Sequence, residues 1–337
     1  MGNVASIAQI TPIDQCNVKD MTMCGSDLYV ATNEGYLIFD TKVGETKEMK
    51  TVGNLTSIIA KDQTDLWYIA NLGMSSTINH VKGTETTTYS VANGAIKGGQ
   101  YADVRARGLA YGPNNTVWFG AYGFFHKFDG KEWTNYTCPA SNFGHIYYKC
   151  FAFDSNGTVW VAGSDQQKNA TFGEFDPVKG EQTPVACDFA SDGVNSMFVD
   201  ANDNVWIGTD YKGFYKYDGS TFVNYNKDSE ANIDINIKTS ATTGLCQAAN
   251  GDIYYAFNKS LVCFSGDYMV VAGTVTNEDH PRDAITCLFP YGEYIFIGTS
   301  ETGVHCYNTT TGEITQLADG TPVVSAISNV NTDKAKT

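Results

Sequence analysis

Seven aromatic residues recur along this chain at a near-constant interval. They are Tyr29, Trp67, Trp118, Trp160, Trp206, Tyr254 and Phe296, in steps of 38 to 51 residues. Four of the five tryptophans fall in this column, and the fifth, Trp133, aligns with Phe222 elsewhere in the repeat. The surroundings repeat too. Asn204-Val205-Trp206-Ile207-Gly208 leads to Gly213-Phe214-Tyr215-Lys216-Tyr217-Asp218-Gly219 and Phe222-Val223-Asn224-Tyr225; Thr116-Val117-Trp118-Phe119-Gly120 leads to Gly123-Phe124-Phe125-His126-Lys127-Phe128-Asp129-Gly130 and Trp133-Thr134-Asn135-Tyr136. Such periodicity means that one unit cannot bury its own faces and must stack on copies of itself.

Each unit reads as four short strands. A first apolar run such as Asn195–Val199 is followed by a tight turn such as Asp154-Ser155-Asn156-Gly157, then by a strand around the column residue. A third strand alternates, as in Phe214–Tyr217, and a glycine turn leads to a fourth. No window of ten or more residues carries a helical stripe. Four-stranded units of about 45 residues are propeller blades. The prediction is therefore an all-β, seven-bladed β-propeller of four-stranded antiparallel blades, one domain over 1–337. The repeats fall at about 21–50, 55–90, 106–137, 149–184, 194–226, 243–272 and 284–317. A closing strand is expected from 4–11 or 322–330, and the polar tail 331–337 is expected to fray.

The pattern D-x-x-G-x-[VL]-W-[IV]-G-T, then G-[LF]-[YF]-[KR]-[YF]-D-G, then F-x-N-Y, resembles the two-component regulator propeller repeat. Asp200 to Tyr225 carries it most closely, followed by Asn114 to Tyr136 and Asp154 to Asp176. The resemblance extends over about residues 21–317 and implies a seven-bladed propeller. Members of that family form extracytoplasmic sensor regions of hybrid histidine kinases, or stand alone as secreted or surface proteins. The repeat is structural and brings no catalytic residues, so it carries fold rather than function. A weaker resemblance is to virginiamycin B lyase-like propellers, which have W-F-T-E strands and a metal-assisted site. Trp118-Phe119-Gly120-Ala121 keeps the W-F without the acidic residue.

Charge narrows the function. With 37 acidic and 22 basic residues the net charge is −15, which opposes general nucleic-acid binding. No apolar run approaches the ~18 residues of a membrane helix. The N-terminus shows no basic n-region or apolar h-region. Two locations are compatible: extracytoplasmic (periplasmic, surface or secreted), after removal of a signal, or cytoplasmic. Nine cysteines form no C-x-x-C pair. Cys24, Cys150, Cys246, Cys263, Cys287 and Cys306 fall in predicted strands and read as small buried hydrophobes. A Cys138–Cys150 or Cys138–Cys187 disulfide is open if the protein is secreted.

In a propeller the blade-joining loops and the loops between strands two and three share one face. The joining loops 92–106, 137–149, 184–193, 226–242 and 273–284 are long, whereas the hairpins 154–158 and 200–204 are short. The long-loop face is therefore the expected binding face. The chain's three arginines, Arg105, Arg107 and Arg282, all end long loops; they suit a carboxylate or phosphate ligand, or else each forms a local salt bridge or caps its strand end. Tyr101, Tyr122, Phe143, Tyr147, Tyr148 and Tyr211 supply flat rings for sugars, with Asp165, Gln166, Asp210 and Asn142 as hydrogen-bonding groups. None of the five histidines sits in an H-x-H or H-x-x-x-H pair, so no metal site is read from spacing. His126 and His305 lie on third strands and read as structural; His145 and His280 lie in long loops and are candidates. Asp200-x-Asn202-x-Asn204 starts like a calcium loop, but Val205 and Tyr211 stand where Gly and Glu would be needed, so it reads as a hairpin turn.

No nucleophile elbow, P-loop or dinucleotide fingerprint occurs. The favoured reading is a non-enzymatic, ligand-binding propeller, monomeric and without cofactor. It would recognise a glycan, peptide or protein through Tyr101, Arg105, Arg107, Tyr122, His145, Tyr147, Asp165, Asp210, Tyr211, His280 and Arg282. The alternatives are a metal-assisted lyase or hydrolase over the central channel, and a structural or assembly subunit.

Overall fold

The computed structural model describes residues 11–73, 75–98, 107–137, 146–165, 169–187, 189, 192–225, 232–233, 242–266, 268–275 and 277–323. For Arg107, Tyr147, Asn232, Ile233, Thr242 and Tyr268 it describes the backbone alone.

Alternating short strands and tight turns leave the chain no local way to bury an apolar face, and it solves this with seven antiparallel sheets in a ring. The first strands are Val18–Cys24, Asn54–Asp62, Arg107–Gly112, Tyr147–Phe153, Val194–Val199, Thr242–Gln247 and Ile285–Tyr291. They are the inner strands, each packed on its counterparts in neighbouring blades. In every blade strands one to four follow in chain order from the inner edge outward. Blade 6 departs from the expected four: Asn232–Ile233 adds a short fifth strand, parallel to Tyr268–Thr274. Among the described residues the only helical element is the 3-10 turn Pro113–Asn115.

The aromatic column fills the spaces between blades. Trp67 lies 5.3 Å from Phe128 of blade 3, Trp118 6.2 Å from Phe175 of blade 4, Trp160 5.7 Å from Tyr217 of blade 5, and Trp206 5.9 Å from Phe264 of blade 6 (centroid distances). Tyr254 continues the series 5.7 Å from Tyr307 of blade 7. Phe296 packs with Val18, Met21 and Leu28 of blade 1, and Tyr29 with Leu55, Ile58 and Tyr68 of blade 2, which completes the circuit. All seven column residues are buried. Each blade thus covers the next, the non-directional burial that a single blade cannot supply.

Closure works by a reciprocal crossing of the two chain ends. The lead-in to blade 1 lies on blade 7, where Val304 N–H donates to Ile13 O at 3.1 Å and Gln316 Nε2 to Asp14 O at 2.8 Å. The exit from blade 7 lies on blade 1, where Gly320 N–H donates to Gly44 O and Val323 N–H to Thr41 O. Asp319 also accepts from Thr46 N–H at 2.7 Å. Glycine is required at both crossings. Gly303 (φ +70°) and Gly44 (φ +77°) have left-handed backbones, and a Cβ on either would lie within 1.8 Å of Ile13 O or 2.4 Å of the Thr321–Pro322 backbone. The expected closing stretches, 4–11 and 322–330, lie mostly outside the described residues, as does the tail.

Candidate functional site

Along each inner strand the ladder to strand two slips by one residue near the start of the strand, in all seven blades. The breaks fall at Val18/Asp20, Leu55/Ser57, Tyr148/Cys150, Val194/Ser196, Thr242/Leu245 and Ile285/Cys287. In blade 3 the slip lies between Arg107 and Ala110. Each is a β-bulge near the start of the strand, towards the long-loop face. Beyond it the strands run towards the short hairpins, lining a cavity of about 630 Å³. Leu109, Phe151, Met197, Leu245 and Leu288 supply its apolar wall, and Ser155, Asp200, Asp203 and Gln247 its rim.

The hairpin rim is tied down by its own polar groups. Asp200 Oδ1 accepts from the N–H of Asn202 and of Asn204, both at 2.9 Å, and its Oδ2 takes the Trp206 indole N–H at 2.7 Å. The carboxylate is occupied by the turn, as the hairpin reading required. Asp203 accepts from Ser155 N–H at 2.8 Å, and Gln247 Oε1 from Ala201 N–H at 3.0 Å, so neighbouring hairpins are stapled from blade to blade.

On the long-loop face two buried aspartates organise two corners. In blade 5, Asp192 Oδ2 accepts from the N–H groups of Tyr211 and Lys212, both at 2.9 Å, which fixes the loop between strands two and three. That loop holds the Tyr211 ring out, 58% exposed. Asp210 accepts from Asn195 Nδ2 and donates its own N–H to Gly193 O. In blade 7, Asp283 accepts from Ala284 N–H, Glu301 N–H, Ser300 Oγ and Thr302 Oγ1. Burial alone would raise its pKa, but the hydrogen bonds led by Thr302 and Ser300 outweigh that and hold the carboxyl below its usual range. The same corner places His280 Nδ1 3.2 Å from Glu301 Oε2. Arg282 is exposed and has no ion pair among the described residues.

Of the described sequence candidates, Asp210 and Tyr211 stand at the blade 5 corner, and His280 and Arg282 at the blade 7 corner. Asp165 is buried and accepts from Asn169 N–H and Nδ2, a turn role in blade 4. Tyr122 is half-buried between strands two and three of blade 3. Arg107 and Tyr147 open the inner strands of blades 3 and 4, with side chains outside the description. Tyr101, Arg105 and His145 lie outside the described residues, as do Asn142, Phe143 and Gln166. Cys138, shared by both disulfides considered, lies there too. The six cysteines expected in strands are in strands. Burial pushes the thiols of Cys150, Cys246 and Cys306 up to about 12, which keeps them protonated. His126, stacked 4.4 Å from Phe119 and fully buried, has its pKa lowered to about 4 by that burial. Among the described residues no three His, Cys, Asp or Glu converge to hold a metal.

Sequence reasoning missed Asp192 and Asp283. Each stands at the end of a long joining loop, opposite a repeated G-T-x-x-x-G (Gly208 to Gly213, Gly298 to Gly303), and that pairing was the available signal.

The two component regulator propeller family model matches residues 188–211, a stretch that includes Asp192, Trp206 and Tyr211. No curated protein matches the chain. Among solved structures, it is similar to a catalytically inactive virginiamycin B lyase from Staphylococcus aureus with quinupristin: 12% identity, 88% of this chain and 96% of that one, TM-score 0.66. It is similar to the extracellular domain of a hybrid two component system from B. thetaiotaomicron: 14% identity, 87% of this chain and 39% of that one, TM-score 0.66. It is also similar to YCF48 bound to D1 peptide: 9% identity, 88% and 92% coverage, TM-score 0.59. At these identities the likeness is one of fold.

Proposed function

We propose that this chain is a binding propeller that recognises a glycan, peptide or protein ligand on its long-loop face, outside the cytoplasm. The observation that carries the reading is the pair of pinned corners in blades 5 and 7. Asp192 and Asp283 are each 2% exposed and spend their carboxylates on holding loops rather than on chemistry. The blade 5 loop presents an exposed ring, Tyr211, and the joining loop beside the blade 7 corner carries the exposed Arg282 next to Asp283. Preorganised loops that display aromatic and Arg side chains are what recognition surfaces use, because little ordering is left to be done on binding. The extracellular regulator domain and the peptide-bound propeller among the similar structures agree with this reading.

A glycan array and a peptide library screened with wild type and with Tyr211→Ala/Arg282→Ala test it. Ligands of the wild type should weaken at least roughly tenfold in the variant. Ligands that bind both proteins alike, or that are lost only on substitution of the hairpin-side wall at Met197 or Leu288, would remove the long-loop face from the site.

A further inference from the structure

The channel cavity of about 630 Å³ is lopsided: its described wall comes from the inner strands of blades 3 to 7. At the corresponding level of blades 1 and 2, Met21 and Ile58 are turned into the inter-blade layers, where they are 1% and 0% exposed. Met197 and Leu288, the same position in blades 5 and 7, are only half-buried and line the cavity, as are Phe198 and Pro290 beside them. Apolar surface is thus left facing open space, in a volume typical of small-ligand sites, and an apolar body placed there would cover it. The described lining holds no Lys, Arg or His; its charged residues are Asp200 and Asp203, at the hairpin mouth.

The rim of that mouth has spent its donors. Ser155 gives both its N–H and its Oγ hydrogen to Asp203, and Gln247 gives its Nε2 to Gly251 O. The N–H of Ala201 goes to Gln247 Oε1, those of Asn202 and Asn204 to Asp200 Oδ1, and that of Asp203 to Asp200 O. The Tyr111 hydroxyl of the wall is sealed from solvent. Acceptors are what remain, and the two carboxylates differ. Asp200 is filled by two backbone N–H groups, the Asn204 amide and the Trp206 indole. Asp203 Oδ1 takes only Ser155 N–H, at 2.8 Å, and its Oδ2 only Ser155 Oγ, so each oxygen keeps accepting capacity. Those bonds hold its carboxyl below the usual range, and it forms no ion pair with a described residue.

We propose that this cavity binds a small amphiphilic amine, its apolar body along Phe151, Met197 and Leu288 and its primary ammonium group at Asp203. The site is separate from the long-loop face and goes beyond the binding reading given above. The ligand must donate, because the rim offers acceptors. It is a cation, because the unfilled charged group of the cavity is a carboxylate and the −15 field of the chain draws cations and repels anions. It is small, because the wall is recessed behind hairpins stapled to one another by the Ser155–Asp203 and Ala201–Gln247 bonds, out of reach of a folded partner.

Octylamine, 1-octanol and octanoate share one apolar body and differ in the head group, so titration calorimetry at neutral pH compares them directly. Octylamine should bind, octanol should bind roughly fivefold or more weakly, and octanoate more weakly still. Asp203→Asn removes the charge and spares the turn: asparagine tolerates the left-handed φ of +62°, and its Oδ1 still accepts from Ser155 N–H. This variant should keep its unfolding midpoint, bind octanol as wild type does, and lose the preference for the amine. Met197→Gln should weaken amine and alcohol alike, and Tyr211→Ala/Arg282→Ala should change neither. Four results would each overturn the proposal and leave the long-loop reading standing: no binding of any probe, octanoate as tight as octylamine, an undiminished amine preference in Asp203→Asn, or unchanged octylamine affinity in Met197→Gln. An apolar peptide with a free N-terminus that binds more tightly than octylamine and displaces it would make the mouth a docking surface and overturn the small-ligand assignment.

Discussion

Trp206 and Met197 sit on paired strands of the same blade, yet they belong to two differently built regions. Trp206 is 3% exposed, stacks within 5.7 to 6.3 Å of Phe198, Phe214, Tyr225 and Phe264, and gives its indole N–H to Asp200. Met197, opposite Ile207, is only half-buried and lines the open channel. The first region, between blades, is filled by the same residue class in every repeat. The second, along the inner strands, varies from blade to blade. Where every blade must cover its neighbour, variation is costly. Where the strands face open space, residues are free to differ, and function can be written there.

The largest expected effect tests the first region. Trp206→Ala should cost roughly 3–5 kcal/mol of stability, because the loss of a buried indole leaves a cavity that a stack of rigid rings fills poorly. It also leaves Asp200 Oδ2 without one of its donors. Chemical denaturation measures this, and a loss below about 1 kcal/mol would mean that the blades do not depend on the column.

A second test asks whether the inter-blade layer tolerates charge. His126 lies within it, donating from Nδ1 to Asn135 Oδ1 at 2.7 Å, with no described partner at Nε2. Its folded pKa of about 4 is below the ordinary value of 6.5, so the unfolded chain takes up the proton first. The contribution is therefore complete above pH 6.5 and is lost as pH falls towards 4, amounting to roughly 3 kcal/mol by then. His305, also lowered by burial, adds a slope of the same sign. Denaturation midpoints between pH 7 and 4 should drop steeply in wild type and less so in His126→Gln. Parallel pH profiles for the two proteins would show that the layer admits the charged ring.

The contrast between the regions also explains what could be read from the sequence. The seven blades were legible because the column residue does the same work each time, and a period of aromatic residues survives divergence of everything around it. The bulges were not legible: a slip of one residue leaves no mark in a segment such as Val18-Lys19-Asp20-Met21 until the pairing is seen. Asp192 and Asp283 were hidden for a related reason: their partners are backbone N–H groups of loops, which leave no residue signature. The arginine reading rested on loop membership; Arg282 stands in the corner of blade 7 with Asp283 and Glu301, while Arg105 and the side chain of Arg107 lie outside the described residues.

A third test addresses the corner that links the two regions. Asp192→Ala removes the acceptor for the N–H groups of Tyr211, Lys212 and Gly193. Water can reach the exposed Tyr211 loop once it is freed, so the stability cost should be about 1–2 kcal/mol rather than the full penalty of buried donors left unpaired. The larger consequence is for recognition: hydrogen exchange at Tyr211 and Lys212 should rise, and any ligand found on this face should weaken. Unchanged exchange would show that the loop is held by something other than the carboxylate.

The smallest effect is expected at the channel wall, and it is the one that decides whether the two regions differ in kind. Met197→Gln keeps the length and flexibility of the side chain and adds an amide that the adjoining channel can hydrate. With no cavity made and no polar group stranded, the stability change should stay below about 1 kcal/mol. Chemical denaturation measures this change. If Met197→Gln destabilises as much as Trp206→Ala, the inner strands are packed as tightly as the aromatic layer. Variation along them would then reflect packing against the neighbouring blade rather than freedom to carry function.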